Sequence, residues 1–534
     1  MKKENMTSLL LAAFLLLGCG APTSPTQPSI VSPIASIHPT VVSSPSATTR
    51  PTVTKKPPTP TSTSEPELQT NGPYFAYFQK KNSTLQLIFV DANGKGRKVI
   101  ELSKVISNSL ALGTRPSPDM RYVSPDGKWI AFYTGSAGKY TEMPAQGTSD
   151  LTLNLFDLET GETQVVTALL SKDYPNNFIE AAKSLNNPDR TAESLYQAFV
   201  SGITQTIAWS PDGKYLAFGG QVDGLSSDLY VYEVSTKTIR RLSSGDQELQ
   251  WIDWSPDGKW IIHSSVYGVG AGMTFDIYAA ALDGSAPRYL STNILYDGID
   301  HWLNDHQYFE NDGQNGPGNY GLRLVDINTG NITKVWDGSF SDFVVAQSGT
   351  SVLLIAYSPD KSPVNGDQFN FDFDFVPGPF LINLKTHEKT RIPTTDNGHT
   401  YGDIRPFGIG GREFILTDQT TDKPVYLTSD GQLTEINLED TPISVSPNSE
   451  YWLAVTARDI SVFAADDTLV KDIPFSPSSA YVNGIIWQPD SSGIFLIVGS
   501  EIFLVDIPDG NIQIIEKSLT DDYPATYAWI NVNQ

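Results

Sequence analysis

Chemistry in this chain has few residue types to draw on. Its 534 residues include one cysteine and six histidines. One thiol permits no intramolecular disulfide and no cysteine-rich metal site. Asn370, Asp372 and Asp374 alternate with Phe371, Phe373 and Phe375. Extended backbone would place the three oxygen-bearing side chains on one side, a hard donor set suited to calcium. The same alternation also describes an edge strand with one wet face. Asp300 and His301, with His306 across a turn, contain the donors for a divalent metal, and equally read as solvated loop residues. Tyr174, Tyr320 and Tyr401 offer rings that could stack on a sugar or a peptide. No Gly-x-Ser-x-Gly elbow occurs, which excludes that nucleophile geometry. Gly268, Gly270 and Gly272 lack the spacing and strand-to-helix setting of a dinucleotide fingerprint. No paired-carboxylate motif stands out, so no catalytic residue is assigned.

The charge balance narrows the partners. There are 60 acidic and 36 Lys or Arg residues, a net charge of −24. Such a surface is repelled by a phosphate backbone, so no nucleic-acid partner is expected. A 39% hydrophobic share supplies a large core and excludes disorder along the whole length.

The N-terminus reads as a targeting segment. Lys2 and Lys3 precede an apolar run over residues 9–17, too short to span a bilayer but suited to a signal peptide. The run ends at Leu16, Leu17, Gly18 and Cys19. These four residues resemble a bacterial lipoprotein lipobox. The resemblance implies cleavage before Cys19 and diacylglycerol on its sulfur, hence a lipid-bilayer anchor on the extracytoplasmic face of the membrane. The only cysteine falls where that chemistry needs a thiol. Residues 19–72 then form a tether. Of the 52 residues 20–71, 31 are Pro, Ser or Thr, too polar to offset the entropy of ordering.

Residues 73–534 read as one repeat-built domain with a partly helical insertion at about 168–203. Ser124-Pro125-Asp126-Gly127-Lys128 recurs as Ser210-Pro211-Asp212-Gly213-Lys214 and Ser255-Pro256-Asp257-Gly258-Lys259. Degenerate copies follow at 446–450 and 488–492. Proline presets φ, aspartate bonds the local backbone and glycine takes positive φ, so each copy is a tight turn. An aromatic and β-branched run follows each turn, then a short polar turn and another strand. The unit is therefore a four-stranded antiparallel meander, strands A to D. Trp209 and Trp254 precede the turn, where a large ring can pack between sheets. One such sheet cannot bury both faces, so the units must stack.

Residues 124–132, 208–218 and 253–262 resemble the PD40, or TolB-like, WD40-type propeller repeat. The resemblance implies an all-β fold, a single β-propeller of eight or nine four-stranded blades. Nine units can be counted; eight remain if 297–336 or 401–438 is misread, and two propellers stay open. Residues 526–532 carry the pattern of the A strand that the first unit lacks, and would close the ring on it.

C–D turns are uniformly tight, as at Asn93-Gly94, Asp283-Gly284 and Asp509-Gly510. The long connections, at 101–119, 135–150, 168–203, 265–274, 310–320 and 358–378, are all B–C or D–A. In a meander those share one face, which is where a site is expected. The favoured function is a membrane-anchored module that binds an envelope protein or a glycan through that face, without catalysis. A carbohydrate-active lyase or hydrolase with a site on the same face is the alternative, and a purely structural role a third. No cofactor is expected beyond the calcium option at Asn370, Asp372 and Asp374.

Overall fold

The computed structural model describes residues 67–530 except 82–83, 103–119, 135–150, 224–226, 245–247, 268–273, 294–300, 312–318, 361–374, 393–400, 437–441, 457, 480, 518 and 520–526, and, within 172–205, all but five isolated positions. Cys19, Leu16, Leu17, Gly18, Tyr174, Asp300, Asn370, Asp372 and Asp374 lie outside the described residues.

The turn predicted from Pro-Asp-Gly forms as expected, with one addition. Asp212 Oδ1 accepts from the Lys214 amide at 3.1 Å, and Gly213 sits at φ 70°. The serine that opens the motif is a full partner. Ser210 Oγ donates to Asp212 at 2.8 Å and accepts from the Tyr215 amide at 3.0 Å. Ser124 and Ser255 repeat both contacts. In the degenerate copy Asn448 replaces the aspartate and Ser449 takes the positive φ, at 55°.

Each turn feeds a meander, and the protein is all-β with many four-stranded antiparallel sheets, the arrangement of a propeller. Among the described residues the strands fall into nine units. The first holds Tyr74–Lys81, Thr84–Asp91 and Arg97–Glu101. The second holds Trp129–Thr134, Thr152–Asp157 and Thr163–Ala168, and the bridge from Val123 to Ile130 stands where its first strand would be. The third runs from Ile207–Trp209 to Thr238–Arg241, and the fourth from Glu248–Trp254 to Arg288–Asn293. The seventh runs from Tyr401–Ile409 to Leu433–Glu435, the eighth from Ile443–Val445 to Leu469–Pro474, and the ninth from Val482–Trp487 to Ile512–Glu516. Both units that the sequence left in doubt are meanders.

The fifth and sixth units differ from expectation. They begin at His301–Asn304 and share one seven-stranded sheet, because Asn331–Val345 is a single strand of 15 residues. Its first half is the outer strand of the fifth unit and its second half the first strand of the sixth. No turn interrupts it at Asp337-Gly338. Instead the Ser339 amide donates to Ser358 Oγ at 2.7 Å, and bulges bend the pairing at Tyr320, Leu322 and Asp342.

Tyr527–Ile530 pairs antiparallel with Tyr74–Tyr77, so the two chain ends meet in one sheet. The folded part begins earlier than residue 73. Thr70 Oγ1 donates to Asp91 Oδ1 at 2.6 Å and the Gln69 amide to Asp91 Oδ2 at 2.8 Å. Gly96 makes room for this, since a Cβ there would lie 2.2 Å from Asp91 Oδ2 and 2.7 Å from the Glu67 carbonyl oxygen.

Apolar clusters join each sheet to the next. One of them sets Phe75 and Tyr77 of the first unit against Phe495 and Ile497 of the ninth. Tryptophans of the first strands reinforce these seams. Trp209 Nε1 donates to the Tyr122 carbonyl at 3.1 Å, Trp254 Nε1 to the Ala208 carbonyl at 3.0 Å, and Trp302 Nε1 to Asp253 Oδ2 at 3.2 Å. Trp487 Nε1 donates to Ser444 Oγ at 3.0 Å and Trp529 Nε1 to the Trp487 carbonyl at 2.9 Å. Every one of these bonds reaches back to the preceding unit, and the last reaches from the first unit to the ninth. Packing and a satisfied indole N–H thus coincide, as buried tryptophan requires. In the insertion, Ile179, Lys183, Ala192 and Tyr196 have helical backbone, and buried Tyr196 packs into the core of the first three units.

Candidate functional site

The first strands of the units carry little positive charge. Among their described residues Arg405 is the one Lys or Arg, and Arg121 lies in the turn Met120–Tyr122 just before the second unit's bridge. Their acidic residues include Asp253, Asp342 and Asp403.

Arg405 borders a cavity of about 620 Å³ lined by the first strands of the fifth to eighth units. His301 and Trp302 come from the fifth, Val345 and Gln347 from the sixth, Phe407 from the seventh, and Ser444 from the eighth. Pro406, Ile415, Ile443 and Val445 complete an apolar floor. Such a mostly apolar hollow with a few converging polar groups is what small-molecule sites look like. Gln347 and Gly349 belong to an A–B turn, so the cavity lies toward the end of the first strands where those turns are. The long connections on which the sequence placed the site lie largely outside the described residues.

The polar side chains on the cavity wall include His301, Gln347, Arg405 and Ser444, and three carboxylates of first strands, Asp253, Asp342 and Asp403, stand outside that lining. Arg405 contacts Asp403 at 3.1 Å, an ion pair open to solvent, and its Nε has no partner. Asp403 adopts φ 47° at a bulge in Tyr401–Ile409, and its charge reaches the sixth unit. There Asp342 has its carboxyl pushed above the ordinary range, first by burial and then by the charge of Asp403. Asp253 is likewise raised by burial, against the pull of its bonds from Trp302 and the Trp254 amide. The His301 imidazole meets the Phe309 ring at 6.4 Å, and partial enclosure pushes its pKa down, so it is neutral at pH 7.

Of the sequence candidates among the described residues, His301 alone lines this cavity. His306 sits in the turn beyond it, 3.7 Å from Asp326, so the two histidines are not brought together. Among the described residues no group of three His, Cys, Asp or Glu could hold a metal ion. Tyr320 and Tyr401 correct the stacking expectation. Both are buried, Tyr401 among Leu416, Leu427 and Ile404, and neither offers an open ring face. Both sit inside strands, and the Tyr401 side of its strand faces the seam between the sixth and seventh units. Arg405, Gln347, Ser444, Asp342 and Asp403 were not singled out from sequence. The signal available was the scarcity of cations on first strands, which makes Arg405 stand out.

No protein-family model matches the chain, and no curated protein matches it. Solved structures do. One is a eukaryotic initiation factor, at 13% identity and TM-score 0.43, over 84% of this chain and 98% of that one. A second is an oligogalacturonate lyase in complex with manganese, at 10% identity and TM-score 0.32, over 84% and 97%. A third is TolB from Acinetobacter baumannii, at 11% identity and TM-score 0.24, over 64% and 78%. Propeller folds are among them, both enzymes and non-enzymes, and the likeness concerns the fold alone. Among the described residues no helix is long and apolar enough to cross a membrane.

Proposed function

We propose that the chain is a lipid-anchored, extracytoplasmic binding module: one nine-bladed propeller, closed by its C-terminal strand, that receives a ligand or an envelope partner in its central channel. The pairing of Tyr527–Ile530 with the first unit and the Trp529 bond to Trp487 support closure. The observation that carries the binding role is the cavity bordered by Arg405, with four consecutive first strands as its wall. The anchor rests on Leu16, Leu17, Gly18 and Cys19, and no nucleic-acid partner fits the charge of −24.

Glycan and peptide arrays probed with the full chain test the channel. Signal is expected, and Gln347→Trp, which fills the cavity, should remove it. A silent array, or one indifferent to the substitution, overturns the reading. The anchor is tested separately. Cys19→Ser should move the protein from the membrane fraction to the soluble fraction, and continued membrane association would sink the lipid attachment.

A second reading, a carbohydrate-active lyase or hydrolase, is favoured by one observation. Asp342 has its carboxyl raised by partial burial and by the charge of Asp403 on the neighbouring first strand, a shift that suits a general acid.

A further inference from the structure

We infer that the cavity takes a small organic acid, its carboxylate bound by Arg405 and Gln347 and its apolar body laid on the partly exposed Trp302, Ile443 and Val445. This rests on the channel reading above and specifies the ligand of that site. Arg405 has five N–H donors, and its guanidinium has one charged partner, a solvent-open contact to Asp403 that is cheap to exchange. Gln347 accepts only a long bond from Ser449, at 3.5 Å on its Oε1, and its amide N–H groups are free to donate. Ser444 Oγ already accepts from Trp487, which leaves its own proton to donate. Neutral His301 adds one donor and one acceptor.

Among the side chains that line it the wall thus offers more donors than acceptors, with Asp403, the ion-pair partner of Arg405, as the carboxylate beside it. The ligand group that satisfies it is acceptor-only, and the planar carboxylate matches a guanidinium in two parallel bonds. An ammonium would confront Arg405, and an alcohol would leave most of the donors unmet. The acidic surface opposes an approaching anion, but salt screens that repulsion beyond roughly 8 Å at physiological ionic strength. The apolar floor selects acids that carry a hydrocarbon or aromatic body over small hydrated ones.

Calorimetric titration of the full chain at pH 7 with 3-phenylpropionate, 3-phenylpropanol and 3-phenylpropylamine tests this. The acid should bind saturably, one per chain, at least tenfold tighter than the other two. Arg405→Gln should weaken it ten- to a hundredfold and erase the preference for acid over alcohol. Gln347→Ala, a change in a solvent-facing turn, should weaken it less and guards against misfolding of the first variant. Arg121→Gln, away from the cavity, should leave it unchanged. Equal binding of alcohol or amine, or an Arg405→Gln variant with unchanged affinity, overturns the proposal. If alcohol or amine binds and Gln347→Trp blocks it, the organic acid falls and channel binding stands. If none of the three binds, the organic acid also falls, and the arrays decide the channel reading on their own.

Discussion

A chain cut after residue 526 should lose the cooperative unfolding transition of the full protein, and Trp529→Ala alone should cost roughly 2–4 kcal/mol. Tyr527–Ile530 contributes one of the two neighbours of Tyr74–Lys81, with Tyr74 opposite Ile530 and Tyr77 opposite Tyr527. Trp529 packs on Phe75 and Phe495, with ring centroids 5.9 and 5.6 Å apart, and donates to the Trp487 carbonyl. Cutting the strand bares a long apolar strand edge and the Phe75–Phe495 stack beneath it. Such an edge also recruits other chains. Urea unfolding followed by tryptophan fluorescence, with sedimentation for association, reads both effects. An unchanged midpoint in Trp529→Ala would show that the two ends are not joined in this way.

Acid should destabilise the protein through His263 in particular. This residue is fully buried in Trp260–Tyr267, stacked on Tyr278 at 5.5 Å, and neither ring nitrogen has a hydrogen-bond partner. Burial lowers its pKa from 6.5 to about 3. Above pH 6.5 both the folded and the unfolded chain hold it neutral, and it contributes no pH dependence. Below pH 6.5 the unfolded chain takes up a proton that the folded one refuses. Stability then falls by about 1.4 kcal/mol per pH unit until the folded-state value is reached. His263→Phe keeps a ring on Tyr278 and removes the titration. Its stability relative to the parent should rise by about 3 kcal/mol between pH 7 and pH 4. Carboxylates titrate in both proteins and cancel in the difference. Parallel stability curves for the two proteins over that range would refute the assignment.

Much of this architecture is legible in the residues. Pro-Asp-Gly fixes a turn through backbone geometry alone, so its copies mark the units, and the tryptophan two places before proline marks the seam. Short range explains the success, because each of these signals acts within a few residues. The serine opening the motif carries no equally plain signal, although its hydroxyl bonds the aspartate and the amide that closes the turn. The continuous strand Asn331–Val345 escaped notice because Asp337-Gly338 has the composition of a turn while neighbours at Ser358 and Asp360 hold it extended. The cavity was invisible for a different reason. Loop length announces the loops, but a hollow between first strands depends on how four sheets converge. Only Arg405 against its acidic surroundings hints at it. Tyr320 and Tyr401 failed as site residues because a tyrosine reads alike on a surface and in a seam.

The grip of Asp91 on Gln69 and Thr70 has a mechanical consequence. If residues 20–66 tether the chain as proposed, tension along them enters the fold there and passes to Tyr74, whose hydroxyl donates to the Thr70 carbonyl at 2.6 Å. Tyr74–Lys81 is flanked by Thr84–Asp91 on one side and Tyr527–Ile530 on the other. The load is therefore shared between the two extremities of the polypeptide, in the sheet where they join. A pull on such a tether would test this sheet before it reached any other part of the molecule.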